Sequence, residues 1–474
     1  MLIKTGALLR NAVMATQTSI VDAVNVDTVR LAVTGLSGAG KTVFLVSLIN
    51  NFLAMGKGLA TLPALGKKLS DNIGNTRLLN VQIAAPNVGT ITPFDYQRHL
   101  ITLAGGAWPS STDDLSEITL TLTLKRKEAF GGLAGKLLGN REVRLELLDY
   151  PGEWLLDLPL LDQTFDEWSK DTLKLLQQPS RAVLAADFLS FLSKITPKAP
   201  ANAAVAALGH DLYRKLLKEC HQRGLRWLQP GRFLIPGLWP AKAPFMEFFP
   251  LLGEQTPTQG TLGALLRDRF EAYKRQVRDQ FFELHFRRFN RQVILVDVLD
   301  SLFAGQEAFE EAERALTNIA KTYARLLENK WLPGPRIERV AFAATKADHV
   351  PSVQQPALQL TLESMVTATA ANLRRKYACT FHTIASVLCT HDDVDTDANG
   401  IRTPVVVGVP VGDTKARPFS PGIIPAGAIP PGFFAAEIFR LPVFSPPAIL
   451  GGAAGNVPHA GLDTLLTDLI GDLL

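Results

Sequence analysis

Hydrophobic and polar positions change period along the chain, and the changes divide it into elements. Leu31-Ala32-Val33 is a short apolar run of the kind a buried strand needs, and Val43 to Leu53 reads as a helix that follows almost at once. From Ser116 to Lys125 the pattern alternates, with Ile118, Leu120, Leu122 and Leu124 on one face and Thr119, Thr121 and Thr123 on the other. That predicts a half-exposed strand; Val143, Leu145 and Leu147 begin its partner beyond a glycine-rich turn at Phe130 to Gly139. The period then lengthens. Leu160 to Gln178 and Ala201 to Gly224 carry helical spacing, Gln229 to Pro257 is broken by prolines and glycines, and Arg267 to Arg291 aligns Phe270, Tyr273, Val277, Phe281 and Leu284 in one stripe. Near-continuous apolar runs return at Gln292 to Leu299 and Arg339 to Ala344, as strands inside a parallel sheet require. Helices are expected at Gln306 to Asn329 and Leu358 to Tyr377, and a strand at Thr380 to Thr390. Glycine and proline dominate 391–458, where Thr403 to Pro410 alternates, and Leu462, Leu465, Leu466 and Leu469 form the seam of a closing helix.

Composition changes this picture in three ways. The 474 residues exceed one ordinary core and suggest two or three units, with 47% hydrophobic and 20% charged residues to build them. No apolar run reaches the ~18 residues of a transmembrane helix, and residues 1–23 lack a compact apolar segment with a cleavage site. Three scattered cysteines, Cys220, Cys379 and Cys389, point to a reducing, cytoplasmic setting without a zinc site. A net charge of +4 makes no strong case for nucleic acid. The basic helix at 267–291 leaves a peripheral membrane contact open.

The chemistry sits where strands end. Gly35 to Thr42 fits G-x-x-x-x-G-K-[ST], a loop whose amides turn inward on phosphate oxygens. Gly35, Ser37, Gly38, Ala39, Gly40 and Val43 are read as the backbone cradle, Lys41 as the cation on the β- and γ-phosphates, and Thr42 as an Mg²⁺ ligand. The strand ending at Leu148 continues into Asp149-Tyr150-Pro151-Gly152-Glu153, in which Asp149 holds Mg²⁺ and the Gly152 amide meets the γ-phosphate. Thr112, in a long irregular connection just before the strand at Ser116, is preferred to Thr90 or Thr92 as the sensing threonine, a metal ligand that also aims the attacking water. Thr345-Lys346-Ala347-Asp348 ends another buried strand. Its Asp348 carboxylate suits the two donors of guanine, which adenine lacks, the Lys346 stem covers the ring, and Ala385-Ser386 offers an amide to guanine O6. Asp297 is assigned to the fold.

The order of these motifs resembles that of the switch-bearing GTPases. The phrases Leu31 to Thr42, Trp108-Pro109 with Thr112, Asp149 to Asp157 and Thr345 to Asp348 are similar to those of the bacterial YcjX-type family of stress-associated P-loop proteins. The resemblance implies an α/β, P-loop NTPase (Ras-like) fold with a mostly parallel sheet, helices on both faces, a large α-helical insertion and a C-terminal β/irregular extension. The expected parts are an N-terminal amphipathic helix (1–25), a GTPase domain in two pieces (26–156 and 291–390), the insertion (157–290), the extension (391–458) and a C-terminal helix (459–474). It further implies a cytoplasmic protein that binds GTP or GDP with Mg²⁺ and signals to an unknown protein effector in stress responses. Two departures matter. Thr345 stands where asparagine is usual, and Glu153 stands where a water-orienting glutamine is usual, so hydrolysis is expected to be slow, with Lys41, Thr112 and Glu153 as its residues. Arg98 is a candidate for the transition-state arginine. The competing readings are a nucleotide-loaded scaffold with incidental hydrolysis and an ATP-binding protein, the latter opposed by Asp348. Oligomeric state is not written in the sequence.

Overall fold

The apolar run before the glycine loop forms β1 (Val26–Gly35), in the interior of an eight-stranded sheet. The computed structural model describes residues 26–36, 38–85, 91–110, 114–126, 140–237, 239–240, 242–253, 258–279, 288–328, 337–366, 378–396, 398–436, 442–447 and 455–474, so the helix expected over 1–25 lies outside the described residues. The strands run in the order β2 (Leu78–Ile83), β4 (Ser116–Leu124), β5 (Arg141–Asp149), β1, β6 (Arg291–Val296), β7 (Arg339–Ala344) and β8 (Ala378–Thr383), with β3 (Thr92–Pro93) beside β4. From β5 across β1 to β8 every pairing is parallel. The alternating segment gives the two exceptions: β4 is antiparallel to β5, with Leu120 opposite Leu145, and to β2. This is an α/β fold of the P-loop NTPase type.

The helices in chain order are α1 (Lys41–Gly56), α2 (Pro63–Lys68), α3 (Tyr96–Ala104), α4 (Phe165–Leu175), α5 (Pro179–Ala182), α6 (Ala186–Leu192), α7 (Ala203–Gln222), α8 (Leu262–Gln276), α9 (Val298–Phe303), α10 (Gln306–Glu328), α11 (Gln355–Ser364) and α12 (Leu462–Ile470). Period 2 sends successive strand residues to opposite faces. Val29, Leu31, Val33, Val293 and Leu295 pack with Phe44, Leu48 and Phe52 of α1 and with Leu465 and Leu466 of α12. Ala32, Ile294, Val296 and Phe342 pack on the other face with Leu316, Ala320 and Tyr323 of α10 and with Leu358 of α11. Helices therefore cover both faces, and the strands read as continuous apolar runs because neither face meets water.

Between β5 and β6 the chain leaves the sheet and builds a helical layer with its own aromatic core. Trp168 stacks on Phe270 at 5.3 Å and meets Phe248 and Tyr213 edge-on. A 3-10 stretch, Gly152–Asp162, leads into it, followed by α4 behind a Thr164–Glu167 capping box. The stretch is held along its length. Gln229 Nε2 donates to the Leu156 carbonyl at 2.6 Å, and the Trp154 indole N–H donates to that of Ile235 at 2.8 Å. The Arg232 guanidinium lies between the Trp154 and Trp239 rings, 3.8 and 4.1 Å from their centroids. Asp157 receives the Gly231 amide at 2.6 Å and the Tyr273 hydroxyl at 2.7 Å. Burial pushes its pKa up to about 6, against the pull of Tyr273, Arg232 and the amides. Farther out, Glu311 of α10 accepts Arg181 on one oxygen, at 2.7 and 2.9 Å, and the amides of Arg226 and Trp227 on the other.

Two expectations are corrected here. The helix expected over 267–291 begins earlier, at Leu262, because Thr261 accepts the Ala264 amide and caps it. Arg291 is the first residue of β6, fully buried and paired with Glu338 and Asp472. Three cations of α8 are engaged within the insertion: Arg267 pairs with Asp166, Arg269 with Glu247, and Lys274 with Glu271 and the Gln163 carbonyl, while Arg275 is exposed. Residues 280–287 lie outside the described residues. Among the described residues no helix is long and apolar enough to cross a membrane. The extension holds three antiparallel strands rather than a hairpin: β9 (Thr390–Thr396), β10 (Arg402–Gly408) and β11 (Arg417–Phe419).

Candidate functional site

The site forms where β1 turns into α1. Gly40 closes that turn with a φ of 78°, a left-handed conformation natural to glycine, and so places the start of α1 squarely behind the loop. No side chain caps α1 and no acid sits in its first turn, so its amides and dipole face outward, toward whatever anion the loop admits. The Lys41 ammonium folds back onto the Gly35 carbonyl at 3.0 Å.

In front of this turn lies a cavity of about 440 Å³. Gly38, Ala39, Gly40, Lys41, Thr42 and Val43 line it together with Lys346, Asp348 and Ser386, the first group following β1 and Lys346 and Asp348 following β7, on either side of β6. Pieces of chain some three hundred residues apart thus share one cavity. Lys346 enters the turn after β7 with a φ of 57°. Asp348 Oδ2 accepts the Cys389 amide at 2.8 Å, and the Thr390 hydroxyl bonds the Asp348 carbonyl, so the turn is pinned to the start of β9. Burial raises the Asp348 pKa above the usual carboxylate value, opposed by His349 and the neighbouring amides. Thr345, in the place of the usual asparagine, is tied down: its amide and hydroxyl both reach the Val296 carbonyl, at 2.9 and 3.4 Å.

Asp297, assigned to the fold from sequence, lines the cavity. It caps α9 through the Asp300 amide at 2.9 Å and forms an ion pair with Lys346. Burial works against the Lys346 charge, but Asp297, with Asp300 behind it, raises its pKa above the ordinary lysine value. The signal was present in the sequence, a carboxylate at the end of a central strand, but nothing there said that β6 lies next to β7. Trp108, His349 and Phe444 also line the cavity.

Several expected residues do not face this cavity. Gly35 lies behind it, pressed on β6, where a Cβ would stand 2.4 Å from the Leu295 carbonyl oxygen. Gly152 is packed against Gly35 so closely that a Cβ would fall 1.9 Å from its carbonyl oxygen. Asp149 is buried at the end of β5, in register with Val33 of β1 and Ser116 of β4. The Ala385 amide is committed to the Ala460 carbonyl at 2.9 Å, while its neighbour Ser386 does face the cavity. Glu153 turns toward the insertion, 3.9 Å from His221 at the end of α7, and borders a separate cavity of about 620 Å³ with Asp114 and Lys218. Arg98 is largely exposed and paired with Asp95. Ser37, Thr90 and Thr112 lie outside the described residues.

Residues 29–474 match the YcjX-like family, DUF463. The chain is 34% identical over 462 residues to a protein named Ras-like GTPase YcjX from Escherichia coli strain K12, covering 94% of this chain and 96% of that one. It is 33% identical over 465 residues to a protein of the same name from Shewanella oneidensis strain MR-1, covering 94% of each.

Proposed function

The chain belongs to the YcjX-like family, and from that premise we propose that it binds GTP with Mg²⁺ in the cavity between the glycine loop and Asp348, hydrolyses it slowly to GDP, and acts as a nucleotide-dependent switch. One observation carries the reading: loop residues 38–43 and the acidic turn at Lys346 and Asp348 line a single cavity of nucleotide size. The names of the two relatives support guanine as the base. The stress-response setting that the family implies belongs to the same proposal.

The roles follow from position. The amides of the loop and of the first turn of α1 surround the phosphates, and Lys41 leaves the Gly35 carbonyl to meet the β- and γ-oxygens. Asp348 accepts the two donors on the Watson–Crick edge of guanine, while the Lys346 stem, held by Asp297, lies along the ring. The Thr42 hydroxyl, which lines the cavity, is a hard oxygen donor that would suit Mg²⁺, and Asp149, buried at the end of β5 outside that lining, would act on the ion only through water; such an ion would neutralise charge developing on the transferred phosphoryl group. Glu153, directed at His221, offers nothing to orient a water molecule from its present position, which favours low intrinsic turnover. The same observation favours the second reading, a loaded scaffold in which the insertion recruits a partner and hydrolysis is incidental. Single-turnover hydrolysis with and without cell extract separates the two: a scaffold turns over in neither.

Base choice gives the sharpest test. Asp348→Asn replaces an acceptor of two donors with a group that suits the extra carbonyl of xanthine. The variant is expected to lose GTP affinity by about 100-fold or more and to prefer the xanthine nucleotide, measured by competition against a labelled analogue. Retained preference for GTP would remove Asp348 from base recognition.

A further inference from the structure

The cavity has a wall that the P-loop and the acidic turn do not account for. Trp108 and Pro109 come from the connection before β4, and Pro442, Val443 and Phe444 come from the chain beyond β11. They meet directly: the Trp108 indole N–H donates to the Phe444 carbonyl at 2.7 Å. Phe444 is almost wholly buried, whereas Val443 is 64% exposed. The Phe444 ring stands edge-on to His349, at 5.1 Å, next to Asp348 in the turn assigned to the base. This contact puts the strap at the purine end of the cavity rather than over the phosphates.

The strap is fastened from outside. The Val411 amide donates to the Val443 carbonyl and the Ser445 amide to the Val409 carbonyl, each at 2.7 Å, so residues 443–445 zip onto the end of the small sheet. Gly408 makes room for the ring, since a Cβ there would lie 2.7 Å from it. The same sheet is joined to Asp348 through Cys389 and Thr390. Wall, sheet and base-reading turn are therefore one connected body, and Trp108 is the contact between that body and the loop on the other side of the cavity.

Resting on the guanine-nucleotide reading of this cavity, we propose that Trp108 and the strap at 442–445 form a clasp over the purine end, and that opening the Trp108–Phe444 contact limits how fast GDP leaves. A bound base would sit inside the ring closed by this hydrogen bond. Release then requires the bond to break and the indole to lift, whereas the phosphate end remains held by the loop. The extension thereby becomes part of the nucleotide site, and anything that pulls on the small sheet acts on exchange.

The experiment loads the full chain with a fluorescent GDP analogue and chases it with excess GDP. Trp108→Phe keeps a ring and removes the donor; Phe444→Ala removes the ring at the base; Val411→Pro removes a strap fastening at an exposed position away from the purine. Release is expected to rise about tenfold in Trp108→Phe, the order of one hydrogen bond together with altered packing, and at least as much in Phe444→Ala. Val411→Pro should move release in the same direction with an unchanged melting temperature in the absence of nucleotide. Unchanged release in both Trp108→Phe and Phe444→Ala, with the analogue still bound, would overturn the clasp and leave the guanine reading standing. Failure of the unsubstituted protein to bind the analogue would overturn both.

Discussion

Lys41→Ala is expected to weaken GTP binding by roughly 100- to 1000-fold. The ammonium is the only side-chain cation among the described loop residues that line the cavity, and it rests on the Gly35 carbonyl. Exchanging that neutral partner for two phosphate oxygens gains charge-assisted hydrogen bonds of ~1.5–3 kcal/mol each, and ~3–4 kcal/mol in total corresponds to the stated range. Titration of a fluorescent GTP analogue reads the effect directly. Because Lys41 is half-buried at the first position of α1 and alanine is a good helix former, folding should be little affected. Lys41→Arg should not restore affinity, since the planar fork is larger than the point charge the loop encloses. An alanine variant within threefold of the parent affinity would remove phosphate binding from this loop.

The largest effect on stability is expected at Glu311. Its two oxygens serve four donors from the insertion, and Arg181, its ionic partner, is 1% exposed. Glu311→Ala would leave a buried guanidinium without its counter-charge and two half-buried amides without their acceptor, at a cost of ~3–5 kcal/mol. Urea denaturation should show the loss as a lower midpoint. If the insertion comes away first, an early transition should appear while nucleotide binding persists. Replacing both members, Arg181→Met with Glu311→Leu, should recover most of the loss, because the penalty lies in the stranded charge rather than in the missing attraction. A loss below ~1 kcal/mol in Glu311→Ala would show that the ion pair does not hold the insertion in place.

Much of this was legible in the chain. Strands covered on both faces announce themselves as apolar runs, and β1, β6 and β7 did so; the alternation in β4 marked the place where pairing turns antiparallel. Motifs built from consecutive residues, such as Gly35 to Thr42, were legible because backbone geometry follows from the sequence itself. What lay beyond reach depended on which elements become neighbours. Asp297 lines the cavity because β6 and β7 are adjacent. Glu153 faces His221 because the insertion folds over the 3-10 stretch. Arg291 resembled one more cation on a helix, yet it starts a strand and is satisfied by Glu338 and Asp472, residues that no local period connects to it. Phe444 lay in a glycine- and proline-rich stretch without periodicity, where only the folded chain shows that it reaches the cavity.

The grip of two indoles on Arg232 has a mechanical consequence. Trp154 lies two residues beyond Gly152, and Trp239 belongs to the insertion, so the turn beside Gly35 is joined to a rigid outrigger. A step of that turn would either strip a cation from two aromatic faces, at ~0.5–2 kcal/mol each, or swing the outrigger as a whole. Stripping the cation is the softer mode, because a swing would also have to break the Glu311 clamp on α10, so the two indoles act as a fuse between the glycine loop and the insertion.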